Sequence, residues 1–211
     1  MHKSSMMKME YFKKSYLNSN DELKILDIGS FDKTGSYNYK MILNGKKWTY
    51  QGMDLKEGNN VDIVVKDPYD WKEIEKNTYD VVVTGQALEH MEFFWLTMEE
   101  INRVLKPGGL CCIIVPSKGP IHKNPYDCYR FNEDGVRSLA KFVKFEILES
   151  GTTTDKISDP WYDSFVIAQK PGGERKTKPQ NNTENPESKT DLENRMDDIE
   201  NKMDLILEKL R

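Results

Sequence analysis

Residues 79–115 read YDVVVTGQALEHMEFFWLTMEEINRVLKPGGLCCIIV, and this stretch decides the fold. The runs Tyr79 to Val83 and Leu110 to Val115 are too continuously apolar to keep a wet face, so both read as buried strands. Between them Phe94, Met98, Ile101 and Leu105 recur at intervals of 4, 3 and 4, one face of a helix that ends before Pro107-Gly108-Gly109. Strand, helix and strand imply a right-handed crossover within a parallel sheet.

Working outward, similar runs occupy Lys24 to Ile28, Trp48 to Met53, Val61 to Val65, Phe145 to Leu148 and Phe165 to Ala168. A further helix is expected from about Asn132, with Val136, Leu139 and Val143 on one face. Strands alternating with helices predict an α/β domain over residues 21–170, a doubly wound and mostly parallel seven-stranded sheet. Residues 1–20 form a separate element in which Met6, Met9, Phe12, Tyr16 and Leu17 suggest a short amphipathic helix on the domain edge. Residues 171–190, PGGERKTKPQNNTENPESKT, hold almost nothing that can be buried and read as a flexible linker.

Composition narrows the function classes. With 31 Lys+Arg against 35 Asp+Glu the net charge is −4, which excludes a strongly basic nucleic-acid binder and makes nucleic acid an unlikely partner. No apolar run nears the roughly 18 residues that span a bilayer, the longest being Leu110 to Pro116, and no signal-peptide core interrupts the charged start. Cys111, Cys112 and Cys128 are odd in number and lack a CxxC spacing; they read as reduced thiols of a cytoplasmic protein, with no metal site among them.

Ligands of such sheets bind at the carboxyl ends of the strands. There Ile25-Leu-Asp-Ile-Gly-Ser30 opens a loop expected to lead into a helix, neither a Walker loop nor a G-x-G-x-x-G fingerprint. Asp27 would repel a pyrophosphate and can take an ammonium group. Asp54, after the second strand, can accept both hydroxyls of a ribose, and Asp67, after the third, can accept from an exocyclic amine. Each acid alone suits a surface turn. Three at successive strand ends suit a ligand with an ammonium, a ribose and an adenine, which S-adenosylmethionine combines.

The stretch from about Leu23 to Ala168 resembles the class I S-adenosylmethionine-dependent methyltransferases of the type 11 group, with their Rossmann-like fold. The resemblance is carried by Ile25-Leu-Asp-Ile-Gly-Ser30, Tyr79-Asp-Val-Val-Val-Thr-Gly-Gln-Ala-Leu-Glu-His90 and Arg103-Val-Leu-Lys-Pro-Gly-Gly109. The glycine loop departs from the usual pattern, with Ser30 where Cys is common and Asp32 where Gly is. By resemblance, Asp27, Gly29 and Ser30 belong to the methionine end of the cofactor, Asp54 and Leu55 to the ribose, and Asp67, Pro68 and Gln86 to the adenine surroundings.

The catalytic candidates are His90, after the fourth strand, and His122, Asp127 and Arg130, after the fifth. A hydroxyl acceptor needs its proton removed, which makes the histidines candidate bases, with Asp127 and Arg130 as support or acceptor contacts. The bland alternatives are loop-fixing histidines and an internal Asp127 to Arg130 ion pair. Asn124-Pro-Tyr126 lacks the second proline of the amino-methylating motif and follows the wrong strand. The expected function is O-methylation of a polar small molecule or, from the resemblance, a glycan. Methylation of a natural product and a non-catalytic interaction protein are the alternatives.

Leu192, Met196, Ile199, Met203, Ile206 and Leu210 repeat at 4, 3, 4, 3 and 4, which predicts a coiled-coil helix over residues 191–211 joining copies of the chain. Leu205 and Leu207 would instead favour docking of one amphipathic helix. Truncation after Gln169 is expected to leave the domain folded and abolish self-association; an unchanged mass by light scattering would refute the coil.

Overall fold

The structure, a computed structural model, describes residues 3–33, 35, 38–152, 161–174 and 176. The heptads of residues 191–211 lie outside the described residues, as does His2. In chain order the elements are helix α1 (Lys3–Tyr16), β1 (Leu23–Ile28), β2 (Trp48–Asp54), β3 (Ile63–Val64), β4 (Tyr79–Gly85), α2 (Phe94–Val104), β5 (Leu105–Pro116), α3 (Glu133–Phe142), β6 (Glu146–Thr152) and β7 (Asp163–Gln169).

One seven-stranded sheet has the order β3-β2-β1-β4-β5-β7-β6. The ladder from β3 through β5 is parallel, and β7 runs antiparallel to both β5 and β6. Period 2 divides the central strands between two layers. Leu26, Ile28, Val82, Cys111, Ile113 and Val115 face α2, α3 and Trp71. Ile25, Val81, Val83, Leu110, Cys112 and Ile114 face α1, with Tyr39, Ile42 and Leu43. The adjacent cysteines thus point to opposite faces, both buried as free thiols.

Each layer is fixed by local chemistry. The α2 helix buries Met98, Ile101 and Val104 and passes directly into β5. Its Glu100 accepts the backbone N–H of Trp71 at 2.8 Å, and Arg103 joins Glu100 to the Trp71 and Ile74 carbonyls, which ties the loop after β3 to the helix. At the start of α3 the Asn132 side chain accepts from Gly135 N at 2.8 Å, an N-cap with Glu133 and Asp134 in the first turn.

Three expectations are corrected. The loop after β1 enters no α-helix among the described residues, only a 3-10 turn at Tyr39–Met41. Among its described residues the stretch before β2 offers only Tyr39, Ile42 and Leu43 as a buried apolar group, too few for a helical face. The layer is completed by α1, which therefore lies across the sheet rather than on the domain edge, with Met9 and Phe12 fully buried. Finally, part of the expected linker is held: Gln169 Nε2 donates to the Gly108 and Glu174 carbonyls, and Lys176 N donates to Gln169 Oε1. The cleaner truncation falls after Lys176.

If α1 were an edge ornament, Phe12→Ala would cost under about 1 kcal/mol. As a fully buried core residue its loss is expected to cost about 3–5 kcal/mol, read as a lower urea midpoint at unchanged slope.

Candidate active site

Parallel pairing brings the ends of β1, β2, β4 and β5 to one rim. At β1, Gly29 has φ +74°, and a Cβ there would meet Ala87 Cβ at 2.6 Å, so only glycine lets this turn approach the segment after β4. Gly29 N and Ser30 N donate to the Met53 carbonyl at 2.9 and 3.1 Å, tying the β1 turn to the end of β2. Ser30 Oγ donates to the Asn60 carbonyl at 2.7 Å, while Asn60 Nδ2 returns to the Ser30 carbonyl. Asp32, the departure from the glycine pattern, accepts from Gly35 N and Asn38 Nδ2, so it shapes the loop.

Asp27 is buried at 3% exposure and accepts from the Tyr50 hydroxyl, itself bonded by Asn60 Nδ2 at 3.0 Å. Burial raises its carboxyl to about 7; the Tyr50 bond works the other way, and the charge of Asp54 adds to the rise. Asp54 is half-buried, its Oδ2 accepting from Phe31 N at 3.1 Å and its Oδ1 from Leu55 N at 2.7 Å. The flanking Phe31 and Leu55 side chains are 41% and 50% exposed, apolar surfaces beside a fixed carboxylate. Asp67 spends Oδ1 on Tyr69 N, and the Pro68 carbonyl accepts from Trp71 Nε1. Gln86, by contrast, turns its Nε2 to Asp163 Oδ1 at 3.1 Å and Ser5 Oγ at 3.4 Å, toward β7 and α1 rather than toward the loop after β3.

The second half of the rim gathers the histidines. The His90 and His122 rings meet edge to face at 4.9 Å, and His122 packs on Trp161 at 4.5 Å. His90 Nδ1 lies 2.6 Å from the Tyr126 carbonyl, which can only accept, so the proton sits on Nδ1 and Nε2 carries the lone pair. Burial lowers the His90 pKa, and the neighbouring His122 and Arg130 charges add to this. Asp127 accepts from Arg130 at 2.5 and 2.9 Å and from His122 N at 2.7 Å. The ion pair is therefore real, and it positions the His122 loop; the Arg130 hydrogen bonds hold the Asp127 carboxyl well below the usual carboxylate range.

Sequence reasoning missed Tyr50, Asn60 and Phe31, which have no local motif and are joined to the site only by folding. Glu89 enters the sequence reading only as part of the Tyr79 to His90 motif. Glu89 is fully buried, and burial, opposed by its own backbone N–H, lifts its carboxyl to about 8.

The Asp27 shift has a testable sign. Between its ordinary value of 3.8 and about 7, the folded state holds a proton that the unfolded state has released, so stability falls as pH rises through that window. Asp27→Asn removes this loss. Its melting midpoint relative to the unliganded wild type is expected to climb from pH 5 to pH 8; parallel pH curves would disprove the shift.

Residues 38–113 match the family model described as a methyltransferase domain, of the type 11 group. The chain is 30% identical over 95 residues to demethylmenaquinone methyltransferase of Staphylococcus saprophyticus, covering 44% of this chain and 38% of the relative. The Staphylococcus haemolyticus protein of the same name is 33% identical over 76 residues, covering 35% of this chain and 31% of the relative. Among solved structures, the Burkholderia thailandensis 1,6-didemethyltoxoflavin-N1-methyltransferase, with bound S-adenosylhomocysteine, superposes at TM-score 0.61 and 16% identity over 80% of this chain and 79% of that one. The cyclase SpnF also superposes at TM-score 0.61, with 14% identity over 79% of this chain and 80% of that one, so the fold alone does not fix the chemistry. Over residues 38–113 the chain is thus similar to the methyltransferase domains of the type 11 group, and its sheet shares the fold of solved S-adenosylmethionine-dependent methyltransferases.

Proposed function

We propose that this chain methylates a hydroxyl group of a polar small molecule or glycan. The observation that carries the reading is the meeting of His90 and His122, 4.9 Å apart, at the ends of two adjacent strands on the rim that also holds Asp27. S-adenosylmethionine, when bound, supplies a methyl group already activated on a sulfonium. The residues fit it: a buried acid that accepts from one side-chain hydroxyl suits an ammonium, and a carboxylate anchored by two backbone N–H groups retains lone pairs for a ribose diol.

On this reading Asp27, Gly29 and Ser30 receive the methionine end, Asp54 and Leu55 the ribose, and Asp67 and Pro68 the adenine. Phe31 adds an apolar wall. Gln86 is moved from the adenine group to the roof of the cleft, where it joins β7 to α1. The acceptor lies against His90 and His122, and its hydroxyl proton is lost through that pair. Asp127 positions His122, and Arg130 positions Asp127. Imidazoles, carboxylates and a guanidinium make a polar wall, a poorer match for the quinone named in the staphylococcal relatives.

Calorimetric titration with S-adenosylhomocysteine tests the cofactor half. The wild type is expected to bind it and not NAD, and Asp54→Ala to bind about tenfold or more weakly, the loss of hydrogen bonds to a charged group. No binding by a folded wild type would overturn the reading.

A further inference from the structure

We propose that Glu89, His90 and His122 together hold a divalent transition cation. The Glu89 side chain is 0% exposed, and apart from the influence of its own backbone N–H neither of its carboxylate oxygens meets a hydrogen-bond partner among the described residues. A buried carboxylate left without a donor is costly, and native proteins rarely keep one without a function. The nearest guanidinium relieves it only in part: Arg130 donates to Asp127 and to the Tyr129 and Pro120 carbonyls, and its charge acts on Glu89 without a hydrogen bond between them.

What faces Glu89 is a lone pair. With Nδ1–H of His90 directed to the Tyr126 carbonyl, Nε2 is free to ligate, and it stands 3.8 Å from Glu89 Oε1. An imidazole whose far nitrogen is bonded to a carbonyl is the usual form of a metal-ligating histidine. His122 brings a second imidazole from the β5 loop, and one ligand atom from each of the three residues lies within 4.8 Å of the others. The arrangement is braced independently of any ion. The Glu89 carbonyl accepts both Cys128 N and Tyr129 N, at 2.8 and 3.1 Å, clamping the β5 loop onto the segment after β4.

Two imidazoles and one carboxylate select zinc and its transition-metal neighbours over magnesium or calcium, which prefer oxygen donors. With bonds of roughly 2.1 Å, tetrahedral ligands sit about 3.4 Å apart, so the site closes by about 1 Å on binding. His122, its side chain 34% exposed, has the room to move. Three protein ligands leave a position for an oxygen donor. This deepens, and rests on, the reading of the rim as the acceptor's place: with the imidazole lone pairs given to the ion, a hydroxyl coordinated there would release its proton to solvent water instead of to the histidine pair and keep its own lone pair.

The experiment uses the untagged full chain, stripped with chelator, with Zn²⁺ binding followed by equilibrium dialysis and metal analysis, and Co²⁺ binding by visible absorption. The wild type is expected to take one equivalent of Zn²⁺ and to develop intense Co²⁺ bands. His122→Ala, and the near-isosteric Glu89→Gln, are expected to lower affinity about a hundredfold or more, beyond the loss usual for an outer-shell partner. Cys128→Ser, which removes the exposed thiol nearby, retains the ion. Circular dichroism identifies any variant that unfolds, and the other variant then decides. A wild type that takes up no ion, or variants that bind as it does, would overturn the inference. S-adenosylhomocysteine titration of the same stripped sample separates the two failures: binding of that ligand without metal uptake sinks only the cation site.

Discussion

The pairing of β4 between β1 and β5 is the constraint on which the rest depends. These strands run in one direction, so their carboxyl ends share one rim, and the register puts Ile28, Thr84 and Ile113 side by side. Every group of the candidate site then follows by short chain distance. Asp27 stands at the end of β1, Gln86 and His90 just beyond β4, and His122 a few residues beyond β5. An antiparallel partner at either position would have sent one of these loops to the opposite edge.

Covering that sheet is where the chain departs from a regular alternation. One face carries α2 and α3; the other carries no α-helix among the described residues of the β1 to β2 connection and is closed by α1. The substitution shapes the rim as well as the core. The first turn of α1 is polar: Ser4 donates to Asp163, and Ser5 lies 2.5 Å from the Tyr39 hydroxyl. Tyr39 in turn reaches over Gly85, where an added Cβ would stand 1.8 Å from its hydroxyl. The helix that fills the core at Met9 and Phe12 thus also roofs the cleft.

Much of this was legible in the sequence, for a physical reason. Strands buried on both faces must be apolar at every position, and Tyr79 to Val83 or Leu110 to Val115 admit little else. The α2 and α3 helices each carry an apolar stripe that β-pairing cannot use. What stayed hidden depends on contacts between distant residues. That α1 crosses the sheet follows from space left vacant elsewhere, which its own pattern does not encode. Tyr50 against Asp27, Asn60 against Ser30, and the Gln86 amide turned to Asp163 are pairings set by tertiary structure. The strand Val61 to Val65 shrank to Ile63–Val64 because the Asp62 carboxylate takes the Gly52 N–H at 2.8 Å. The histidines were found by type and place; their joint geometry with Glu89 was not.

The two raised carboxyls show what the rim is built to meet. Asp27 and Glu89 lie on either side of the β4 end, both buried, and among the described residues no hydrogen bond or ion pair joins either to a lysine or arginine. Asp127, whose charge reaches Glu89, shows the alternative: Arg130 neutralises it, and its acidity rises rather than falls. The chain therefore has the means to pair a buried acid internally and uses it where the acid positions a loop. Leaving Asp27 and Glu89 unneutralised costs folding stability above the acidic range, a cost that a positively charged ligand offsets. For Asp27 the proposed ligand is the ammonium of the cofactor. Glu89 faces a histidine lone pair instead of a donor, and a lone pair beside a carboxylate is an arrangement that a cation satisfies and an ordinary hydrogen bond from that nitrogen cannot.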